Sequence, residues 1–169
     1  MSERWPNGLI VGRFDPPHLG HSYMIEEAAS KVDHLVVYVN WSSRRDSIPG
    51  ELRATWLKEL HPQTTIRAVP HQLHTDFDDE DLWEKWMRLF RSHWPYDTGP
   101  HAVFSSDSYV SGLAERFDAE QVRIDPDRSE VPISATQIRE NPADHLDMVA
   151  PQVRAWIESN WLRSPQTRR

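Results

Sequence analysis

The sequence predicts an α/β protein of Rossmann-like type, with a five-stranded parallel sheet covered by helices on both faces. Two observations support this: short β-branched runs alternate with amphipathic helical segments, and they do so at the spacing of βαβ units. A length of 169 residues suits one domain with its own hydrophobic core. No repeat or linker interrupts 1–169, so we expect a single domain with a core at about 8–162 and a frayed C-terminal tail.

Five segments have the length and composition of strands, because they are short, apolar and enriched in β-branched residues. In chain order they cover residues 8–14, 34–41, 65–69, 101–106 and 121–125. The first is predicted to be a buried strand that runs directly into a glycine-containing turn. The second ends in a polar loop, and the fourth ends in small polar residues.

The segments between the strands carry apolar residues at spacings of three and four, the pattern of an amphipathic helix. Helices are predicted from residue 20 onward and over 51–61, 81–94, 109–117, 134–140 and 151–162. In a sheet built this way, ligands bind beyond the carboxyl ends of the strands, where the strand order reverses. We therefore expect the site among the loops that follow the strands.

Composition and charge exclude several classes of function. No apolar run approaches the length of a membrane span and the N-terminus lacks a signal-peptide layout, so we expect a cytoplasmic protein without a membrane partner. The absence of cysteine excludes disulfides and thiolate chemistry. A net charge of −7 argues against a nucleic-acid partner. A homo-oligomer is compatible with the sequence, which does not define the oligomeric state.

The turn after the first strand holds the strongest candidate site. His18 and His21 lie three residues apart at the start of a predicted helix, whose free N–H groups and dipole favour an anion. The pair has three interpretations: it satisfies backbone groups, it binds a metal with Asp15 as the third ligand, or it binds phosphate. We favour the last, because imidazolium or N–H donors there would stabilise a phosphorus centre that gains negative charge.

A second candidate site begins at Ser134. Ser134 and Gln137 have the spacing of a capping box, which predicts a well-capped helix. The hydroxyls of Ser134 and Thr136 and the helix N–H groups would lie on the side that Arg139 can reach. Such an arrangement is suited to binding a polyphosphate.

Together the two motifs resemble the signatures of the nucleotidyltransferase superfamily. His18-Leu-Gly-His21 matches (Thr/His)-x-Gly-His, and Ile133-Ser-Ala-Thr-Gln-Ile-Arg139 matches Ile-Ser-Ser-Thr-x-x-Arg. The resemblance implies the nucleotidylyltransferase fold. It also implies an enzyme that transfers a nucleotidyl group from a nucleoside triphosphate and releases pyrophosphate with Mg²⁺ present.

Within the superfamily, the chain resembles the nicotinamide-mononucleotide adenylyltransferase domain of NadR-type proteins. The features that carry this resemblance are Val103-Phe-Ser-Ser-Asp107, Asp125-Pro-Asp-Arg128 and the pair Trp83 and Trp86. The resemblance implies ATP and nicotinamide mononucleotide as substrates, NAD as product and a place in NAD biosynthesis. NadR-type proteins also carry a kinase domain, for which 1–169 has no room, so we expect a stand-alone transferase.

The same resemblance assigns roles to single residues. The catalytic residues would be His18, His21 and Arg139. The ATP-binding residues would be Gly12, Arg13, Phe14, His18, Gly20, His21, Ser105, Asp107, Arg128, Ile133, Ser134, Thr136 and Arg139. The mononucleotide-binding residues would be Phe14, Asp15, Asn40, Arg53, Trp83 and Trp86. Mg²⁺ would be held by the ATP phosphates, without a metal site on the protein.

Several of these side chains also have a packing or solvent role as an alternative. Trp83 is expected to carry the electron-poor nicotinamide ring, which gains cation–π energy over an indole face, whereas Trp86 mainly packs. Arg53 opens a predicted helix, where a cation is unfavourable unless an anion is near, which favours a ligand role. Arg44 and Arg45 either solvate their loop or close over ATP. A polar loop is interpreted as solvated, and not as a metal site, although it contains His71, His74, Asp76, Asp78 and Asp79.

The acceptor stays open at this stage. Asp15 makes the first motif Phe-Asp-Pro, which is more similar to pantetheine-phosphate or nicotinate-mononucleotide adenylyltransferases. Trp83 favours an aromatic base instead. The alternatives are therefore nicotinate mononucleotide, phosphopantetheine, and a non-catalytic sensor that binds NAD or ATP.

Overall fold

The computed structural model describes residues 4–43, 46–74, 78–108 and 110–162. The strands are β1 (Trp5–Gly12), β2 (Val32–Trp41), β3 (Thr65–Pro70), β4 (Ala102–Ser105) and β5 (Glu120–Arg123). The helices are α1 (Leu19–Ala29), α2 (Gly50–Leu60), α3 (Glu80–His93), α4 (Val110–Phe117), α5 (Ala135–Glu140) and α6 (Pro151–Asn160). A 3₁₀ helix at Pro142–Met148 joins α5 to α6.

The five strands form one parallel sheet in the order β3-β2-β1-β4-β5. Strand β1 lies in the centre, where Gly8 pairs with Leu35 of β2 on one side and with Ala102 of β4 on the other. The strand order reverses between β1 and β4, so the crevice beyond their carboxyl ends is the expected place for a ligand. The prediction of a five-stranded parallel α/β sheet is confirmed.

Helices cover both faces of the sheet, and the alternation along β1 separates the two cores. Ile10 packs with residues of α1 and α2, such as Ile25 and Leu57. Leu9 and Val11 belong to the opposite core, which residues of α3 and α4 complete. A third cluster, built on Ile48, Trp56, Ile133, Ile138, Val149, Val153 and Ile157, packs α5 and α6 against α2.

Apart from shifts of one or two residues at the ends of other elements, the structure differs from the sequence prediction at two places. β1 begins at Trp5, three residues before the predicted start. It ends at Gly12, two residues before the predicted end, because Phe14 has a φ of 54°, which a strand does not accommodate. The 3₁₀ helix at Pro142–Met148 was not predicted, since it buries no residue and therefore has no apolar periodicity. Helix α4 is described from Val110, and the tail expected to fray lies outside the described residues.

None of the helices in the described ranges has the length and apolar character that would be needed to span a bilayer.

Candidate active site

A cleft of about 430 Å³ opens at the carboxyl ends of β1 and β4, where the strand order reverses. Most residues predicted for the site line it: Gly12, Arg13, Phe14, Asp15, His18, Gly20, His21, Asn40, Trp83, Trp86, Ser105, Asp107, Arg128, Ser134, Thr136 and Arg139. Two predicted residues, Arg53 and Ile133, do not line it. The fold therefore brings both sequence motifs to one cavity.

His18 and His21 both accept hydrogen bonds from the backbone at the start of α1. Nδ1 of His18 accepts from the N–H groups of Gly20 at 3.0 Å and of His21 at 3.3 Å, and Nδ1 of His21 accepts from His18 N–H at 3.1 Å. The two side chains thus form a capping box. Gly20 is required here, because a Cβ at that position would lie 2.8 Å from Cε1 of His18.

This hydrogen bonding determines the proton positions on both rings. An Nδ1 atom that accepts an N–H carries no proton, so each neutral ring has its proton on Nε2. Burial, with a smaller effect of Arg128, lowers the pKa of His18 to about 3. Burial, then His18 and Arg128, holds the pKa of His21 well below its usual value. The pair therefore consists of neutral N–H donors, and the alternative of imidazolium is not supported.

The two rings are stacked, with centroids 3.7 Å apart and an interplanar angle of 20°. The ring of Phe14 packs against His21 at 4.6 Å and limits its movement. Both histidines line the cleft beside the N-terminus of α1. Two Nε2–H donors and a helix N-terminus form a preorganised environment for an oxyanion such as phosphate.

The second motif is attached directly to the loop after β1. Ser134 caps α5, accepting from the Gln137 N–H at 3.2 Å while the Gln137 side chain accepts from the Ser134 N–H at 2.8 Å. The predicted capping box is confirmed. Arg139 donates from Nη1 to the Asp15 carbonyl at 2.6 Å and from Nη2 to Oγ1 of Thr136 at 3.2 Å. Ile133 is buried behind this segment, which is why it does not line the cleft.

Asp15 is engaged by the protein itself. Its side chain is buried, and the carboxylate accepts from Ser47 N–H at 2.9 Å and from Ile48 N–H at 3.1 Å. The Arg13 guanidinium lies 3.5 Å from it. Asp15 thus connects the loop after β1 to the loop after β2, and this role is independent of the acceptor's chemistry.

Arg53 does not have the ligand role that its place in the sequence favoured. Its side chain is 0% exposed and donates to the carbonyls of Arg13 and Asn40, at 2.5 and 3.4 Å, and of Ile48 at 3.0 Å. Its charge is paired with Asp46 at 2.5 Å. The anion that compensates the cation at this helix end is therefore Asp46 of the preceding loop. Burial alone would raise the pKa of Asp46, but the hydrogen bond from the Ser42 N–H, the hydrogen bond and charge of Arg53 and the charge of Arg13 together lower it.

The aromatic wall of the cleft comes from α3. Trp83 and Trp86 are each 5% exposed and line the cavity, so both combine packing with a place at the site. Nε1 of Trp86 donates to the His74 carbonyl at 2.8 Å, and its ring packs on Phe90. Asn40 lines the same cavity from the end of β2.

The opposite wall follows β4 and β5. Oγ of Ser105 accepts from the Asp107 N–H at 3.0 Å, and Asp107 lies 3.6 Å from the Arg128 guanidinium. Arg128 also donates to the Ile133 carbonyl at 3.2 Å, which joins the loop after β5 to the second motif. These contacts place Arg128 between the two halves of the site.

Sequence reasoning did not assign several residues that line the cleft. They include Val11, Tyr23, Met24, Phe90, Leu113, Ile124, Asp125 and Val131. The turn at Asp125 could have been found from the sequence, since Asp-Pro-Asp is typical of a turn that the aspartate side chain stabilises. In the structure the Asp125 carboxylate accepts the N–H groups of residues 129 to 131. These hydrogen bonds, that of Glu130 first, lower the pKa of Asp125. Met24 carries no such signal, because its spacing is also that of a core residue.

Two predictions concern residues that are only partly described. Arg44 and Arg45 lie outside the described residues, and so does Asp76 of the polar loop. Within the described part of the chain, no group of three histidine, aspartate or glutamate side chains could hold a metal ion.

Residues 9–141 match the cytidylyltransferase-like family. The trifunctional NAD biosynthesis/regulator protein NadR of Escherichia coli (strain K12) is 28% identical over 174 residues, covering 89% of this chain and 40% of NadR. The nicotinamide-nucleotide adenylyltransferase of Aeropyrum pernix is 27% identical over 165 residues, covering 89% of each chain. The phosphopantetheine adenylyltransferase of Streptococcus equi subsp. zooepidemicus is 29% identical over 143 residues, covering 79% of each. The chain thus spans about two fifths of the NadR proteins that it matches.

Among solved structures, NadR protein in complex with NAD and AMP-PNP superposes with a TM-score of 0.62 at 21% identity, covering 88% of this chain and 46% of NadR. This likeness confirms the Rossmann-like fold. The family match confirms the predicted resemblance to the nucleotidyltransferase superfamily. It also confirms that the chain is a nucleotidyltransferase enzyme, without defining its substrates. The chain belongs to the cytidylyltransferase-like family.

Proposed function

We propose that the chain is a nicotinamide-nucleotide adenylyltransferase, which converts ATP and nicotinamide mononucleotide to NAD and pyrophosphate. One observation carries the proposal: a single cleft joins two neutral Nε2–H donors at a helix N-terminus to a wall of two tryptophans. The first half suits a reacting phosphate and the second an aromatic base. The relatives from Escherichia coli and Aeropyrum pernix support the same reaction.

In the proposed reaction a phosphate oxygen of the mononucleotide attacks the α-phosphorus of ATP in line. A new P–O bond forms, the bond to the oxygen that bridges to the β-phosphate breaks, and pyrophosphate leaves with the bonding electrons. His18 and His21 would donate from Nε2 to the α-phosphate oxygens, where charge develops in the transition state. The rings stay neutral, so they stabilise charge without transferring a proton.

Ser134, Thr136 and Arg139 would bind the β- and γ-phosphates. Arg139 already contacts Thr136 and the Asp15 carbonyl, so its guanidinium is oriented before ATP arrives. Ser105, Asp107 and Arg128 would lie on the adenosine side. No covalent intermediate is proposed, since the reaction requires mainly alignment and electrostatic stabilisation.

Mg²⁺ would enter with ATP, held by its phosphate oxygens. Among the described residues three carboxylates line the cleft, but Asp15 and Asp125 accept backbone N–H groups, and Asp107 lies 3.6 Å from Arg128. The carboxylates described here are therefore not arranged as a protein cage, and a triphosphate supplies the oxygen ligands that Mg²⁺ prefers. When bound, the ion would neutralise charge on the leaving pyrophosphate.

The acceptor would be a pyridine nucleotide because two indoles line its side of the cleft. Phosphopantetheine is the second candidate, favoured by the Streptococcus equi relative at 29% identity. The Phe-Asp-Pro motif does not add support for it, because Asp15 holds a neighbouring loop. Nicotinate mononucleotide shares the pyridine ring and is the nearest alternative.

An acceptor comparison tests the proposal. Purified protein with Mg²⁺ and ATP would be supplied separately with nicotinamide mononucleotide, nicotinate mononucleotide and phosphopantetheine, with pyrophosphate release and the adenylylated product measured. We expect the nicotinamide nucleotide to give the highest kcat/KM. The Trp83→Leu variant should raise the KM of that acceptor and leave the KM of ATP within about twofold. Preference for phosphopantetheine, or tight NAD binding without turnover of any acceptor, would overturn the proposal.

A further inference from the structure

Helices α3 and α4 are joined by two reciprocal contacts between an arginine and an aromatic ring. Cζ of Arg116 on α4 lies 4.0 Å from the ring centroid of Trp83 on α3. Cζ of Arg91 on α3 lies 5.1 Å from the ring centroid of Phe117 on α4. Arg91 also donates from Nη2 to the Arg116 carbonyl at 3.0 Å. The two contacts are chemically alike, but only the first involves a residue that lines the cleft.

The Arg116 guanidinium is held in place over the indole. Its Nη1 donates to the Gly112 carbonyl at 3.0 Å, and its Nη2 pairs with Glu80 at 2.6 Å. The side chain is only 23% exposed, whereas that of Glu80 is 78% exposed. Gly112 packs closely against the same ring and restricts its movement, since a Cβ at Gly112 would lie 3.3 Å from Cζ2 of Trp83. The orientation of Trp83 is therefore restricted from α4 by a cation and a close backbone.

We propose that Arg116 is a positioning residue for the acceptor, acting through Trp83 without touching the acceptor. The inference rests on the proposed function, in which Trp83 supports the acceptor's ring. A stacking surface contributes most when its orientation is determined before the ligand binds, because no rotamer freedom is then lost on binding. Arg116 supplies that restriction from outside the cleft.

The test compares Arg116→Met with Arg91→Met as a matched control. Both changes remove one cation–aromatic contact between the same helices, so both should lower the Tm, and Arg116→Met should lower it more because it also loses the contacts with Gly112 and Glu80. We expect Arg116→Met to raise the KM of the acceptor about 10-fold, with the KM of ATP and kcat within twofold of wild type. Arg91→Met should leave both KM values within twofold. Equal acceptor KM values in the two variants would overturn the proposal.

Two further variants keep the test informative if Arg116→Met folds poorly. Arg116→Lys keeps a cation over the ring but cannot contact the Gly112 carbonyl and Glu80 at the same time as a guanidinium does. We therefore expect the acceptor KM to rise about threefold. Glu80→Gln changes an exposed residue and should give a smaller rise of the same kind. An acceptor KM equal to that of the wild type in both variants would contradict the inference. Absence of turnover with pyridine nucleotides by the wild type would instead overturn the proposed function, so the two failures are distinguishable.

Discussion

The imidazole rings of His18 and His21 lie stacked 3.7 Å apart, and each uses its Nδ1 to accept a backbone N–H at the start of α1. One atom of each ring therefore builds the helix terminus, and the other nitrogen carries the donor proton. The capping box confirms the interpretation as a structural pair, and the phosphate site that we propose uses the same residues. Capping selects the tautomer that the proposed catalysis requires.

Replacing His18 by asparagine should separate these two roles. Oδ1 of asparagine can take the place of Nδ1 as the cap acceptor, while the Nε2–H donor is lost. We expect His18→Asn to stay within about 0.5 kcal/mol of wild type in unfolding free energy and to lose about 10²-fold in kcat. His18→Ala should lose the same activity and also about 1 kcal/mol of stability. Urea denaturation and pyrophosphate release measure the two quantities, and full activity of His18→Asn would refute the donor role.

Acid should destabilise the protein through the same histidines. Below pH 6.5 the unfolded chain binds a proton at His18, while the folded chain does not until about pH 3, so the unfolding free energy falls as pH falls. The expected contribution of His18 is a loss of about 1.2 kcal/mol between pH 6 and pH 5. Urea titrations at pH 7.0, 6.0 and 5.0 measure it, and His18→Asn should show a shallower slope. A stability that does not change over this range would be inconsistent with neutral buried histidines.

Asp15 should affect activity without affecting the choice of acceptor. Asp15→Asn keeps an oxygen acceptor for one of the two loop N–H groups but removes the charge opposite Arg13. We expect kcat/KM to fall by a similar factor for nicotinamide mononucleotide and for phosphopantetheine, because the change acts on loop geometry. The ratio of the two kcat/KM values is the measurement. A ratio shifted more than about 10-fold would mean that Asp15 selects the acceptor after all.

Arg53 should be required for stability. Its removal leaves Asp46 with less compensation and takes away the hydrogen bonds that Arg53 donates to the carbonyls of Arg13, Asn40 and Ile48. We expect Arg53→Met to lose about 3–5 kcal/mol of unfolding free energy, the usual cost of breaking a buried ion pair from one side. Arg53→Lys keeps the charge and should lose less, though it cannot reproduce the fork. Denaturation curves within about 1 kcal/mol of wild type for Arg53→Met would contradict the structural role.

Much of the fold was predictable because periodicity is a local property of the sequence. The β2 and α3 segments carry an unambiguous pattern, and their observed bounds lie within two residues of the predicted ones. The role of Arg53 was not predictable, because the helix start is visible in the sequence but the loop conformation that brings Asp46 onto it is not. His18 is not among the usual capping residues, so its use of Nδ1 also required coordinates.

The Arg116 contact illustrates the same limit at longer range. Trp83 was a candidate because of its chemistry, but the sequence does not indicate that a residue on the next helix stacks on it. Contacts between separate helices depend on how both pack on the sheet. The site's composition could thus be predicted, whereas the residues that orient it could not.

The most direct test of the central claim is NAD formation by His21→Ala. Wild type and variant would be compared with saturating ATP, Mg²⁺ and nicotinamide mononucleotide, after far-UV circular dichroism has established that both are folded. We predict that the wild type forms NAD and pyrophosphate in equal amounts and that the variant's kcat is lower by at least about 10²-fold, the usual cost of one strong transition-state donor. NAD formation by His21→Ala at near the wild-type rate would contradict the assignment of the histidine pair as the reaction centre.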